Sequence, residues 1–382
     1  FNDPITGDSH LYSIPTRSIS DMTFKAFEKT ISRKEMELIR SKMPFAKVLF
    51  NPRTLEYKFA STLDGEPFTA LNTYLPPAWR LKPNDNPILP NCIYNFLKTL
   101  IPVPEELNYV LDWLHYALVS RNETYLVLNG EKGVGKNIFT DLIKDVIGKQ
   151  YSVEAPKSFP DSNFTGFLMN ALLVIMNETK ITRDNHNQLK KFIESDQTLE
   201  AKHLEARKMQ VYCNYIITNN YSKNNYLEAD DRRFSVIDIN KEKLTKTMSR
   251  TAIGELIEEM HKEENIWNFG HYLIQRKPKY NVNEFYKGAR FEELVRVSQP
   301  EWQKFVIKVV KSRKQRRYSL MSLREMYEQS SGARFVAQED ALEDFLKNTN
   351  HIEGEPIAKL VEDELNPMLL YLVPHDKYLP HA

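Results

Sequence analysis

The chain of 382 residues is long enough for two or three domains at about 150 residues each, and its 41% hydrophobic and 27% charged residues exclude a disordered or fibrous protein. With 52 Lys and Arg against 51 Asp and Glu the formal charge is +1, so no whole-molecule field draws it to nucleic acid or acidic lipid; any polyanion site must be local. The longest apolar run, residues 171–176, is about a third of a membrane span, and the polar start is no secretory signal, so a soluble intracellular chain without a membrane partner is expected. Cys92 and Cys213 lie far apart, outside any metal-ligand spacing, as reduced packing residues. Phe1 in place of Met suggests a piece of a longer protein.

Residues 1–98 mix patterns and predict an α+β N-terminal accessory unit. Apolar residues recur at helical spacing over 21–43, and residues 48–61 predict two short strands about a turn. Prolines at 76, 77, 83, 87, 90, 102 and 104 then punctuate the chain, placing a boundary near residue 98. Residues 99–288 form the second unit, in which 105–240 alternate helix and strand in the rhythm of a parallel α/β sheet. The third, 289–382, is expected to be mainly helical and opens with a helical pattern over 301–317 that carries seven Lys or Arg.

Glycine is scarce, 12 in all where average usage of about 7% gives roughly 27, yet three fall between 130 and 135. A predicted strand (124–129) runs into Gly130-Glu131-Lys132-Gly133-Val134-Gly135-Lys136-Asn137, and a helix continues from Ile138 to 147. Such a loop turns backbone N–H groups around a phosphate, the helix N-terminus adds positive potential, and Lys136 reaches the β and γ phosphates. Asn137 stands where a hydroxyl usually meets Mg²⁺. A second buried strand (171–178) ends in Asn177 and Glu178; a carboxylate there can orient an attacking water and take its proton. Next comes a hairpin with Lys202, His203, Arg207 and Lys208, suited to a phosphodiester backbone or simply a solvated charged tip, since Glu200 and Glu205 offset it. A third strand (211–218) ends in Asn219, whose amide can hold the lytic water or the γ-phosphate. Arg232 and Arg233 then precede a further strand, either to reach a neighbouring subunit's ATP or to pair with Asp230 or Asp231.

In this order the motifs over about 105–240 resemble the superfamily 3 helicases, and the version with GxGKN, an Asn-Glu strand end and DxRRF looks like phage primase-helicase fusions. The resemblance implies an AAA+-like P-loop ATPase core at 99–288 between an N-terminal collar or head (1–98) and a C-terminal tail (289–382). It implies a homo-oligomer, a hexameric ring, with single-stranded DNA in its central channel and ATP and Mg²⁺ between subunits. A primase-polymerase domain would precede this piece, and the protein would work in the cytoplasm of a phage's bacterial host. By position, Lys136 would bind phosphate, Asn137, Asn177 and Glu178 would serve magnesium and water, Asn219 would be the sensor, and Arg232 or Arg233 the trans finger. Gly130 to Ile138 would cradle the nucleotide, and Lys202, His203, Arg207 and Lys208 would touch DNA. The leading expectation is an ATP-dependent DNA helicase module. Two amides near the metal keep a second reading open, a nucleotide-binding ring clamp or scaffold with little hydrolysis. An AAA+ initiator or helicase loader is the third.

Overall fold

The computed structural model describes residues 12–13, 17–19, 32–35, 46–63, 66–160, 165–200, 207–220, 225–228, 231–281, 286–312, 314–332, 334–335, 339–348, 351–352, 355–362 and 370–378. The helix expected over 21–43 lies almost wholly outside them. Strands β1 (Ala46–Leu49), β2 (Lys58–Leu63) and β3 (Glu66–Asn72) form a small sheet. The two strands expected over 48–61 are present but do not pair with each other. β3 lies between them, parallel to β1 and antiparallel to β2, because the short link after β2 favours a hairpin and the longer one before it does not.

Helix α1 (Asn91–Leu100) runs through the boundary expected at 98 and buries Ile93, Phe96, Leu97 and Leu100 in the central core. Tyr74 belongs to the same core. Trp79 does too, its Nε1 donating to Val146 O at 2.9 Å and its ring lying on Gly270, where a Cβ would come within 2.8 Å of it. The central core therefore reaches back beyond residue 99, which corrects the expected boundary; proline punctuation marked a winding route, not a break in packing. Helix α2 (Pro104–Val119) follows, with Pro104, Glu105 and Glu106 in its first turn, where a missing N–H costs nothing and carboxylates meet the positive helix end.

The central sheet contains β4 (Tyr125–Asn129), β5 (Ser152–Glu154), β6 (Leu173–Asn177), β7 (Asn214–Asn219) and β8 (Phe234–Asp238). Their order is β8-β4-β7-β6-β5, and every pairing is parallel. Both faces are covered, which is why these strands read as continuous apolar runs. Leu126, Leu128, Ile175 and Ile216 face one core, with α1, α2 and α3 (Lys136–Ile147); Val127, Val174, Met176 and Ile217 face the other, with α4 (Arg183–Phe192). The expected mixed α/β class is thus observed. Three further helices, α5 (Leu244–Thr247), α6 (Arg250–Met260) and α7 (Glu263–Gln275), follow the sheet, and α8 (Ala289–Ser298) adds Phe291 and Leu294 to the second core.

The C-terminal unit has more helix than strand among the described residues but also carries a small sheet that the sequence did not announce. It runs α9 (Glu301–Lys311), β9 (Tyr318–Ser319), α10 (Leu320–Ser331), α11 (Glu339–Asn348), β10 (Ala358–Glu362) and β11 (Leu370–Pro374), with a two-residue strand pair at His351–Ile352 and Glu355–Pro356 before β10; β9, β11 and β10 form an antiparallel sheet in that order. Val306, Val310, Tyr318, Leu323, Leu342 and Leu372 make a core of its own. Among the described residues no helix is long and apolar enough to cross a membrane.

Candidate functional site

Strands β4, β7 and β6 end side by side, and the segments leaving them line a cavity of about 500 Å³. The chain must reverse sharply between β4 and α3. Gly133 (φ +83°) and Gly135 (φ +109°) make that possible, in a backbone region that other L-residues rarely adopt, and Gly135 is the N-cap of α3. The loop is fastened from outside: Gly130 N–H donates to Asn219 O at 3.2 Å, and Leu244 N–H donates to Gly133 O at 3.0 Å. Val134 is buried beneath it, while Glu131, Lys132 and Asn137 are exposed and Ile138 lines the cavity.

Lys136 opens α3 with its side chain folded inward, Nζ donating to Gly130 O at 2.6 Å, Glu131 O at 2.8 Å and Asn220 Oδ1 at 2.9 Å. Burial pushes this ammonium down to about 8, against the opposing pull of Glu131 and Glu178. At the end of β6, Glu178 takes a left-handed backbone conformation (φ +51°), which is uncommon for a residue with a side chain and which clusters at functional sites. Its Oε1 accepts from Asn220 Nδ2 at 3.0 Å and lies 3.7 Å from Lys132 Nζ. Asn177 Oδ1 accepts from Thr218 Oγ1 at 3.1 Å.

Asn219, the sensor position expected from sequence, is not in this network. It is fully buried, its side-chain amide has no hydrogen-bond partner among the described residues, and it sits beside Asn129 of β4 in the same condition. The cavity is lined instead by Thr218 and Asn220. Side chains alternate along a strand, so a shift of one residue exchanges faces. The asparagine at the cavity is Asn220, which joins Lys136 to Glu178. Only the adjacent pair Asn219-Asn220 could have signalled it in sequence.

The side-chain oxygens at the cavity are those of the Asn137, Asn177 and Asn220 amides, the Thr218 and Thr245 hydroxyls and one carboxylate, Glu178. Among the described residues no three His, Cys, Asp or Glu are grouped as a metal cage. An all-oxygen set with a single carboxylate fits a magnesium ion that arrives on substrate phosphates and keeps several waters.

The expected hairpin exists. Its strands 196–199 and 207–210 pair antiparallel, with Asp196 opposite Gln210 and Leu199 opposite Arg207. Lys208 is exposed on the second strand; Lys202 and His203 lie outside the described residues. Arg232 is exposed and Arg233 half-buried, just before β8. β8 and β4 run parallel with Phe234 opposite Tyr125 and Asp238 opposite Asn129. The arginines therefore sit at the opposite end of the sheet from the glycine loop: Arg233 is level with Thr124, six residues before Gly130, which is roughly 20 Å along the strand at about 3.3 Å per residue. Asp231 does not pair with them. It is buried against His186 of α4 in a hydrogen bond, and Lys190 of the same helix meets Glu228 at 2.8 Å. This pair of contacts, the first buried and the second partly exposed, is absent from the expectations above and ties the arginine segment to the helix that leads into the hairpin.

A family model described as a family of unknown function (DUF5906) matches residues 128–233, from the glycine loop to the arginines. The DNA primase-polymerase of Nitratiruptor phage NrS-1 is 28% identical over 183 residues, which is 44% of this chain and only 25% of that protein's length. Apo structures of the NrS-1 C-terminal region superpose with TM-scores of 0.67 and 0.63 at 17% identity, covering 98% of this chain and 96% and 95% of theirs. The chain is a homologue of the phage NrS-1 primase-polymerase and shares the fold of that protein's C-terminal region.

Proposed function

We propose that the chain is the ATP-hydrolysing DNA helicase module of a phage replication protein, working as a ring with ATP between subunits and a primase-polymerase linked to it. One observation carries the reading. An ammonium, a bridging amide and a carboxylate (Lys136, Asn220, Glu178) converge on a cavity at one end of a parallel sheet, and two arginines whose side chains have no hydrogen bond or ion pair among the described residues sit at the other end. The loop N–H groups and Lys136 would hold the triphosphate. Glu178, held by Asn220, would accept a proton as water attacks the γ-phosphorus and the bond to the β-phosphate oxygen breaks, leaving ADP and phosphate. Asn137, Asn177 and Glu178 would hold magnesium, which when bound neutralises charge on the phosphate oxygens. A neighbour's Arg232 or Arg233 would do the same from across the interface.

The test is ATP hydrolysis with and without single-stranded DNA, in wild type and Lys136→Ala. A DNA-stimulated rate in wild type that is lost by at least about a hundredfold in the variant is expected, since phosphate clamping carries much of such catalysis. Equal rates in the two proteins would remove the proposal. A second reading, a nucleotide-gated clamp with little turnover, is favoured by the two amides where carboxylate or hydroxyl oxygens commonly bind the metal; nucleotide-dependent assembly without hydrolysis would select it.

A further inference from the structure

Apart from a two-residue pair at His351–Ile352 and Glu355–Pro356, the C-terminal unit has the connectivity helix, strand, helix, helix, strand, strand, with the last strand at the centre of its three-stranded sheet. That is the order of winged helix-turn-helix units, in which the second helix of the pair, here α11, normally enters a DNA groove. Its sequence, EDALEDFLKN, has four acidic residues against one Lys. In a groove it would set carboxylates against phosphates.

The positive charge lies elsewhere. Residues 304–317 contain seven Lys or Arg and no Asp or Glu. Lys304, Lys308 and Lys311 recur at i, i+4 and i+7 on α9, opposite the buried Val306, Val309 and Val310. Lys304 pairs with Glu301 at 2.9 Å. Lys308, Lys311, Lys314 and Arg316 are exposed and have no hydrogen bond or ion pair among the described residues. The turn that carries the last two is held in shape: Gln315 N–H donates to the Tyr318 hydroxyl at 3.1 Å, that hydroxyl donates to Val309 O at 3.4 Å, and Arg317 stacks over the Tyr371 ring at 4.7 Å. The Tyr371 ring beside these cations is half-buried and already covered by Arg317, so it does not offer the open stacking platform that single strands use.

We infer that this unit grips the phosphate backbone of duplex DNA, independently of sequence, through α9 and the turn after it, with α11 facing away. The site is separate from the nucleotide cavity and does not rest on the ATPase reading. The test uses the full chain with Lys308→Gln, Lys311→Gln, Lys314→Gln and Arg316→Gln combined, all at exposed positions. Affinity for a random 30-base-pair duplex and for a single strand is measured between 50 and 200 mM salt, beside ATP turnover and sedimentation. The duplex log–log salt slope is expected to become shallower by about 3 to 4, at about 0.9 per lost phosphate contact, with single-strand affinity, turnover and assembly unchanged. An unchanged duplex slope overturns the inference. Equal losses for duplex and single strand overturn the duplex assignment. Altered sedimentation with unchanged duplex binding would make the surface a protein interface instead.

Discussion

Asn220 holds Lys136 through its carbonyl oxygen and Glu178 through its amide nitrogen, so one side chain fixes both the group proposed to meet phosphate and the group proposed to take the proton. Removing it frees the Glu178 carboxylate, which is otherwise exposed and carried on a strained backbone. Asn220→Ala should lower the hydrolysis rate constant about a hundredfold, the cost of losing one positioned donor, with nucleotide affinity changed less than about threefold. Asn219→Ala should leave that rate constant within about threefold, because its amide is turned into the sheet. Steady-state turnover and equilibrium binding of a fluorescent nucleotide separate the two; equal losses of turnover would return the role to Asn219. The glycine loop and Lys136 were legible in sequence because the loop itself dictates their types: two positions need positive φ and one needs a cation at a helix start. Asn220 was not, since the spacing that locates a strand end does not say which of two adjacent residues faces the cavity.

Helix α2 enters the fold on Glu106, a carboxylate only 4% exposed whose Oε2 accepts from Asp238 N–H at 2.9 Å at the end of β8. Burial pushes this carboxyl up to about 7; the Asp238 N–H opposes the rise and the Asp238 charge adds to it. The folded state therefore binds the proton more tightly than the unfolded chain. Its contribution is complete below about pH 4.5, is lost as pH rises towards 7, and above that leaves an ionised buried group costing at most about 3 kcal/mol. Glu106→Gln keeps an acceptor for the N–H and removes the charge. It should raise stability by about 1–3 kcal/mol at pH 8 and by little at pH 4.5; urea melts at both values check this, and an equal gain at each would show that charge is not the cause. Elements of this central unit were readable because burial on both sheet faces writes an unbroken apolar run into each strand. β10 and β11 were hidden by the opposite circumstance: five residues each, among helical patterns, and defined by their pairing with each other. α1 was cut by the expected boundary because its partners, the α6 and α2 helices, are distant or invisible to a local reading.

Arg232 and Arg233 cannot serve the glycine loop of their own chain, because the length of β8 and β4 separates them from it. Under the proposed function, a subunit with its loop at one end of the sheet and its arginines at the other would be half of two different sites. Head-to-tail association would complete both and would close into a ring where the rotation allows. The clamp of Asp231 on His186 and of Glu228 on Lys190 ties the arginine segment to α4, and so to the hairpin beyond it; a shift of the arginines towards a neighbour's phosphate would pull on the element expected to hold DNA. This predicts complementation. Lys136→Ala lacks a working loop but offers intact arginines; the double variant Arg232→Ala with Arg233→Ala lacks the arginines but keeps its loop. Each should be nearly inactive alone. Mixed in equal amounts and randomly assembled, about one interface in four pairs an intact loop with intact arginines, so turnover should recover to about a quarter of wild type if head-to-tail interfaces act independently. Co-assembly is checked by sedimentation of the mixture. Mixed rings as inactive as their parents, or an arginine variant that hydrolyses ATP at the wild-type rate, would count against arginines acting in trans.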